Sequence, residues 1–207
     1  LEIDIIGKGG HGARPHEGVD SIWISAKVIS GLQEAISRSI DALKPVVISF
    51  GKISGGNAFN VIAERVKLLG TVRCLDITLY EKLPKWIEKI VKNIASNYGA
   101  QARITFKSIA PPVYNDPELT NLLCNCAKNF MDEKNIVALE NPSLGAEDFA
   151  FLLQDVPGTM FRLGVAGEKG CAPLHSGHFS LDEKCLELGI KILSQAIVMS
   201  SRSSQNI

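Results

Sequence analysis

Strand and helix patterns alternate in a characteristic order through the first 112 residues. Alternating apolar and polar side chains predict strands at 1–6, 46–53, 66–74 and 103–108, and apolar residues three or four apart predict helices at 20–43 and 78–98. The order strand, helix, strand, strand, helix, strand is typical of an α+β domain with a ferredoxin-like, four-stranded antiparallel sheet that carries both helices on one face. The other face of that sheet is expected to be free.

Capping residues predict where the two helices begin and end. Asp20 is the expected N-cap of the first helix, and Pro45 is its expected end. Thr78 and Glu81 are spaced as a capping box for the second helix, and Gly99 is its expected C-cap. The first helix is expected to bury one apolar stripe, formed by Ile22, Ala26, Ile29, Leu32, Ile36, Ile40 and Leu43.

Residues 113–207 carry fewer strand signals. Helices are expected after Asp116 and Pro117, at 147–153, and from a capping box of Ser180 and Glu183 to about Met199, with short strands at 136–139 and 159–165. Two short strands are too few for a covered α/β sheet, so this part is expected to complete a sheet whose other strands lie outside the chain. The polar tail at 200–205 is expected to be frayed.

The balance of charged residues indicates which kinds of molecule this protein binds. Lys and Arg number 22 and Asp and Glu also number 22, so the formal net charge is zero, and neither a nucleic acid nor a membrane is expected as a partner.

The five cysteines are irregularly spaced without a CxxC pair, which favours the reducing cytoplasm over a disulfide framework or a thiolate zinc site. Because the chain begins at Leu1 with strand-like residues, it is expected to be part of a longer polypeptide.

His11 lies in a glycine-rich loop that is expected to expose its imidazole. Glycines at 9, 10 and 12 let a ligand approach the backbone closely, and a ring N–H there could polarise a carbonyl group. A solvent-exposed turn histidine is the commoner outcome for such a sequence. Lys8 and Arg14 flank the loop, so an anion-binding loop is a further interpretation.

His175 and His178 form a second histidine pair, in a loop just before the final helix. Imidazole is a common ligand of first-row metals, but a catalytic zinc typically takes three protein ligands, and the chain shows no second cluster of that type. Loop histidines that hydrogen-bond to backbone are the alternative. Spacing alone does not establish a metal site.

Four further polar residues are individually weak candidates. Glu147 and Asp148 start a short helix, where capping explains them as well as catalysis does. Asn60 follows a glycine turn, where asparagine is usually a turn former. Arg73 lies on the polar face of its strand, and its guanidinium suits a carboxylate, although a solvated arginine is the commoner case.

Four blocks, taken together and in order, resemble one enzyme family over nearly the whole chain. They are GKGGHGARPHEGVDSI, GGNAFNVIAERVKLLGTVRCLD, SLGAEDFAFLLQDVPGTMFRLG and APLHSGHFSLDE. The blocks resemble those of metal-dependent amidohydrolases of the aminoacylase and carboxypeptidase type, most closely the hippurate, N-acyl-amino-acid and indoleacetyl-amino-acid hydrolases. The resemblance implies hydrolysis of the amide bond of a small N-acyl amino acid.

The resemblance also assigns the two parts of the chain and their residues. Residues 1–112 would be the lid or dimerisation domain, which pairs two subunits into a homodimer, and 113–207 the C-terminal portion of an α/β zinc-peptidase-like catalytic domain. The implied roles are oxyanion stabilisation in the partner subunit's site by His11, substrate binding by Asn60, Arg73 and Glu147, and metal ligation by His175.

The family's remaining catalytic residues have no counterpart in this sequence. Its other metal ligands and its general-base glutamate lie in a Cys-x-His segment, a Glu-Glu pair and a further histidine, and the chain contains neither Cys-x-His nor Glu-Glu. The complete enzyme would use two divalent metal ions, zinc or manganese, which this chain alone is not expected to retain. We therefore expect an inactive fragment of an enzyme; the alternative is a non-catalytic dimerisation or small-molecule-binding module derived from the family.

Overall fold

A computed structural model describes residues 1–107, 110–168 and 170–203, except the side chains of 202 and 203. The chain forms two compact units. The first unit comprises Leu1–Pro112 together with Ser143–Glu147, and the second comprises Val113–Pro142 and Asp148–Ile207.

An antiparallel sheet of four strands, in the order β3-β5-β1-β6, forms the centre of the first unit. The strands of this unit are β1 (Glu2–Ile6), β2 (Gly10–His11), β3 (Val46–Gly55), β4 (Val61–Ile62), β5 (Arg65–Cys74) and β6 (Gln101–Thr105). In the register of the central strand, Ile5 lies opposite Val66 on β5 and Ala102 on β6. The prediction of an antiparallel sheet is confirmed; predicted strand residue Ser108 lies outside the described residues.

Two long helices, α1 (Ser21–Ser39) and α2 (Ile77–Asn97), pack on one face of this sheet. Ile3 and Ile5 of β1 are fully buried in the same core as Val28 of α1 and Ile87 of α2. The intervening Asp4 belongs to the opposite face, because successive side chains of a strand alternate between faces. One hydrophobic core therefore holds the sheet and both helices together.

The face of the sheet without helices carries charged side chains. Glu2 lies 2.5 Å from the Lys67 Nζ and 2.9 Å from the Lys107 Nζ, and Asp4 pairs with Arg65 at 2.9 Å. Hydrogen bonds from Lys67 and then Lys107 lower the pKa of Glu2 to about 2. The two carboxylates of β1 are therefore each held in ion pairs with basic residues from neighbouring segments.

Helix α1 begins at the predicted N-cap, Asp20, and buries part of the predicted stripe: Leu32 is fully buried and Ile29, Ile36 and Ile40 pack against the core. The Asp20 carboxylate accepts the backbone N–H groups of residues 22 and 23. Ser21, Ile24, Ser25, Val28 and Leu32 are buried, whereas Ile22 is 48% exposed. The buried serines satisfy their hydroxyls with backbone carbonyls, so the inward face includes polar residues that a count of apolar positions omits.

The ends of the first two helices differ from prediction at two points. Helix α1 ends at Ser39, before Pro45, and Leu43 in the following turn is 89% exposed. Helix α2 is capped by Asp76, whose carboxylate accepts the Leu79 N–H, and not by the predicted Thr78 box. The C-cap of α2 is Tyr98, and the predicted glycine, Gly99, follows it in the left-handed conformation with a φ of +77°.

Helices joined by long irregular segments make up the described part of the second unit. Its helices are α3 (Pro117–Ala127), α4 (Phe149–Leu152) and α5 (Lys184–Ser203). Asp116 caps α3 as predicted. The Lys184 N–H at the start of α5 donates to the Asp182 carboxylate, so the predicted Ser180 capping box is wrong. Residues 200–203 are helical where a frayed tail was predicted, and residues 204 and 205 of that tail lie outside the described residues.

The two strands predicted for the second unit, at 136–139 and 159–165, are wrong. Both segments are irregular, and no strand of the described second unit lies beside them to pair with. Val137 and Leu139 are 73% and 65% exposed. The strand-like alternation at 136–139 therefore arises from apolar side chains that are exposed on this unit.

Helix α5 buries one side and exposes apolar residues on others. Ile192 packs with Leu123 and Ala127 of α3 in the core of the second unit. Apolar side chains between 43% and 69% exposed also lie on this helix: Leu186, Ile190, Leu193, Ile197, Val198 and Met199. No helix in the described part of the chain has both the length and the apolar character needed to span a membrane.

Candidate functional site

His11 and Asn60 are held together by backbone hydrogen bonds. His11 lies on β2, opposite Val61 on β4, and the Gly12 N–H donates to the Asn60 carbonyl at 2.9 Å. A Cβ atom on residue 12 would lie 2.9 Å from that same oxygen, so this close approach requires glycine. The loop predicted from its glycines therefore brings two of the predicted site residues together.

The His11 ring is oriented by a hydrogen bond within its own loop. The Ala13 backbone N–H donates to His11 Nδ1 at 3.0 Å. Because an acceptor nitrogen carries no proton, the neutral ring bears its proton on Nε2. The exposed imidazole thus presents one N–H donor, as required of a group that polarises a carbonyl or stabilises an oxyanion.

Arg73 lies at the far end of β5 and contacts a segment that is distant in sequence. Its Nη1 donates to the Leu144 carbonyl at 2.8 Å. Leu144 belongs to Ser143–Glu147, here called the strap, which packs in the first unit although the residues on either side of it belong to the second. The strap also contains Glu147, which is half-buried.

The predicted residues of the first unit form two groups at opposite ends of β5. The Gly7 N–H donates to the Glu64 carbonyl, so the His11 loop begins beside the start of β5, at Arg65. Arg73 lies eight positions after Arg65, and at about 3.3 Å per position this stretch of the strand spans roughly 26 Å. His11 and Asn60 therefore lie far from Arg73 and the strap within one chain.

His175 occupies an exposed loop with an unusual backbone conformation. Its φ is +68°, and it is the one non-glycine residue with positive φ in the part of the chain that the structure describes. This left-handed conformation is disfavoured for residues with a Cβ, although histidine adopts it more often than most. The strained backbone falls on the residue predicted to bind a metal.

Local hydrogen bonds close the loop around His175. The Ser176 N–H donates to the Pro173 carbonyl at 3.1 Å, and the His178 N–H donates to the Ser176 hydroxyl at 3.2 Å. The Cys171 thiol lies 3.0 Å from the Ser180 carbonyl, which joins the two ends of the loop. His178 thus has a local structural contact, whereas His175 is presented at the turn.

The residues present do not form a complete metal site. No group of three or more His, Cys, Asp or Glu side chains able to hold a metal occurs among the residues described. His175 supplies one imidazole, and a catalytic zinc typically requires three protein ligands. The described residues therefore do not fit the two implied metal ions by themselves.

Two groups that hold the site were missed from the sequence. These are the Ala13 amide, which orients His11, and the Leu144 carbonyl, which binds Arg73. Both are backbone groups, so residue type carries no signal for them. Depressions of about 280 and 450 Å³ in the second unit are lined by other residues, including Tyr114 and Asn125, and contain none of the predicted site residues.

Comparison with known proteins shows which family this chain matches. The model of Peptidase family M20/M25/M40 matches residues 15–199. The protein named "Probable hydrolase sll0100" from Synechocystis sp. is 48% identical over 198 residues, which are 95% of this chain and 50% of that protein. N-acetyldiaminopimelate deacetylase from Geobacillus sp. is 38% identical over 193 residues, 93% of this chain and 50% of the deacetylase.

A solved structure supports the same relationship. The YxeP protein of Bacillus subtilis, described as a dinuclear metal binding peptidase, matches with a TM-score of 0.75 at 26% identity. The match covers 96% of this chain and 49% of that protein. The chain spans about half the length of the curated relatives named above.

Proposed function

The chain belongs to Peptidase family M20/M25/M40. We propose that it forms the lid and part of the catalytic domain of a metal-dependent amidohydrolase that acts on N-acyl amino acids. Residues 1–112 are proposed as the ferredoxin-like lid and 113–207 as the C-terminal catalytic portion. The name of the Geobacillus relative, a deacetylase of an N-acetylated amino acid, supports this substrate class. Amide hydrolysis is the activity common to this proposal and to the carboxypeptidase relative from Saccharolobus solfataricus.

The distance between two groups of predicted site residues on the first unit, His11 with Asn60 and Arg73 with the strap, is the main support for this proposal. The start of β5, where the His11 loop begins, lies roughly 26 Å from Arg73 along the strand, which is far longer than an N-acyl amino acid. One lid therefore cannot place both groups on one substrate. Two lids, related as subunits of a homodimer, could supply His11 and Asn60 to one site and Arg73 to the other.

Each residue is proposed to have a role that its chemistry supports. The Nε2–H of His11 would donate to the oxyanion that forms as the amide is attacked, and the Asn60 amide would contact the substrate. Arg73 would bind the carboxylate of the amino acid. Glu147 would line the same pocket.

The metal ions are proposed to depend on residues outside this chain. Two divalent ions, zinc or manganese, would supply the activated water in the complete enzyme, with His175 as one ligand. Since the described residues offer no cluster of three ligands, this chain alone is proposed to be inactive. Five free cysteines agree with a reducing location, for which we propose the cytoplasm.

The apolar surface of α5 supports the proposal that the catalytic portion is incomplete. Ile190 and Ile197 are 66% and 69% exposed, on a helix whose other side packs against α3. Contiguous exposed apolar surface usually marks an interface. We propose that the rest of the catalytic domain covers it, in keeping with relatives of twice this length.

The proposed homodimer has a candidate surface on the first unit. β3 is a ten-residue edge strand, and edge strands pair readily with other chains. Ile53 on this strand is 56% exposed. Sedimentation should show a dimer that Ile53→Asp converts to a monomer, while Leu43→Asp, in the turn after α1, leaves it dimeric. A wild-type monomer would contradict the dimer.

A chimera tests the proposed activity. The N-terminal half of the Synechocystis hydrolase is joined to this chain, and release of free amino acid is measured for a panel of N-acyl amino acids with zinc or manganese. We expect turnover by the chimera and none by the chain alone. Turnover by the chain alone would refute the fragment assignment, and an inactive but folded and metal-loaded chimera would favour the non-catalytic module.

A further inference from the structure

We infer that Arg73 is a bridge, in which one edge of the guanidinium holds the strap and the other edge is left for the substrate carboxylate. The inference rests on the proposed function for the second of these roles only. The first role, that Arg73 anchors Ser143–Glu147 to the first unit, rests on contacts within this chain.

The strap packs away from its neighbours in sequence. Residues up to Pro142 and from Asp148 belong to the second unit, while the five residues between them belong to the first. The described long-range hydrogen bond to this segment is the one from Arg73 Nη1 to the Leu144 carbonyl, 2.8 Å long and partly buried. A hydrogen bond with a charged donor is stronger than a neutral one, and partial burial reduces its competition with water.

The geometry of a guanidinium allows both roles at once. Arginine has five N–H donors in a rigid plane, and the edge formed by Nε and Nη2 presents two parallel donors that match a carboxylate. The bond to Leu144 uses Nη1, so it leaves that paired edge available. A lysine has a single charged nitrogen and could not hold two partners on two separate edges.

Anchoring the strap also positions Glu147. This residue is three positions after Leu144 and directly precedes the return of the chain to the second unit. Between them, the Gly145 N–H donates to the Ser143 hydroxyl at 3.1 Å and tightens the segment. Arg73 is therefore a positioning residue for Glu147 in addition to its proposed contact with substrate.

Hydrogen exchange on the chain itself tests the anchor. In Arg73→Ala we expect the amides of residues 143–147, with Gly145 as the hydrogen-bonded reporter, to exchange at least about 10-fold faster, as expected when one hydrogen bond with a charged donor is lost. Arg73→Lys should restore most of the protection, because an ammonium can still donate to one carbonyl. Arg103→Ala, an exposed arginine on β6, is the matched control and should exchange like the wild type.

Unchanged exchange of the strap in Arg73→Ala would overturn the anchor. If that variant does not fold, as judged by its melting temperature, the comparison of Arg73→Lys with wild type decides: the strap of the lysine variant should keep most of its protection. Faster exchange across the whole first unit in Arg73→Lys would show a general structural role and reject the bridge.

Kinetics of the chimera test whether the Nε and Nη2 edge of Arg73 binds the substrate carboxylate. For a free N-acyl amino acid, Arg73→Lys should raise KM at least 10-fold, since the paired edge is lost, while KM for the matching carboxamide changes little. Arg73→Ala should in addition lower kcat for both compounds, because Glu147 loses its position. An effect confined to the KM of the acid would reject the positioning role. A wild-type chimera without activity would count against the proposed function, and hydrogen exchange would still decide the anchor.

Discussion

Ala13 donates its backbone N–H to Nδ1 of His11 over 3.0 Å, two residues along the same loop. The bond assigns the neutral tautomer, because the accepting nitrogen cannot also carry a proton. It also restricts rotation of the ring, so the Nε2–H points in a direction set by the backbone. A donor whose orientation is fixed before the reaction needs no reorganisation as charge develops.

We predict that His11 is protonated on Nε2 in the neutral state and that this donor is needed for turnover. Nitrogen-15 NMR of the chain should show an unprotonated Nδ1 for His11 at pH 8. In the chimera, His11→Ala should lower kcat about 100- to 1,000-fold, the usual cost of removing one oxyanion donor. His11→Gln, which keeps an amide donor at a similar reach, should retain more activity. Equal activity of the alanine variant would exclude the oxyanion role.

We predict that the stability of the first unit depends on Leu68 far more than on its neighbour Leu69. Leu68 is fully buried under the helices, whereas Leu69 lies on the charged face of β5. Leu68→Ala should cost about 3 kcal/mol through lost burial and a cavity, and Leu69→Ala less than about 1 kcal/mol. Both tryptophans, Trp23 and Trp86, lie on helices of this unit, so urea unfolding followed by their fluorescence measures it. Equal losses would contradict the assigned faces of β5.

Periodicity predicted the first unit well because each of its elements has one face in a single core. The alternation at 66–74 matches Val66 and Leu68 buried beneath both helices. The same approach predicted only part of the buried face of α1, where Ser21 and Ser25 are buried and satisfy their hydroxyls on backbone carbonyls. Hydrophobicity alone does not reveal a polar side chain that is paired inside a core.

The second unit was predicted less well because strand formation depends on a partner. Residues 136–139 and 159–165 have strand-like apolar runs, but the described second unit provides no neighbouring strand for their backbone groups. Helix α3 was predicted correctly because Asp116 and Pro117 are local signals. The side chains of the candidate site were predicted from the resemblance to a known family, whereas the Leu144 carbonyl, a group that every residue type possesses, is selected by the tertiary fold.

We predict that the first unit loses stability in acid through Glu2. Hydrogen bonds from Lys67 and then Lys107 lower the pKa of Glu2 from 4.5 to about 2, so its stabilising effect is complete above about pH 4.5 and is lost as the pH falls to about 2. Glu2→Gln should therefore lower the melting temperature at pH 7, and the difference from wild type should vanish near pH 2. Glu81→Gln, exposed on α2, is the control. A difference that does not depend on pH would contradict the assignment.

We predict that His175 cannot retain a metal ion without ligands from outside this chain. The described residues contain no cluster of three potential ligands, and one imidazole in an exposed loop binds zinc weakly. After incubation with zinc or manganese and desalting, the chain should carry close to zero ions. In the chimera it should carry two, and His175→Ala should reduce that number, whereas His178→Ala should leave it unchanged. One or two tightly held ions on the chain alone, lost in His175→Ala, would show that it is a self-sufficient metal protein.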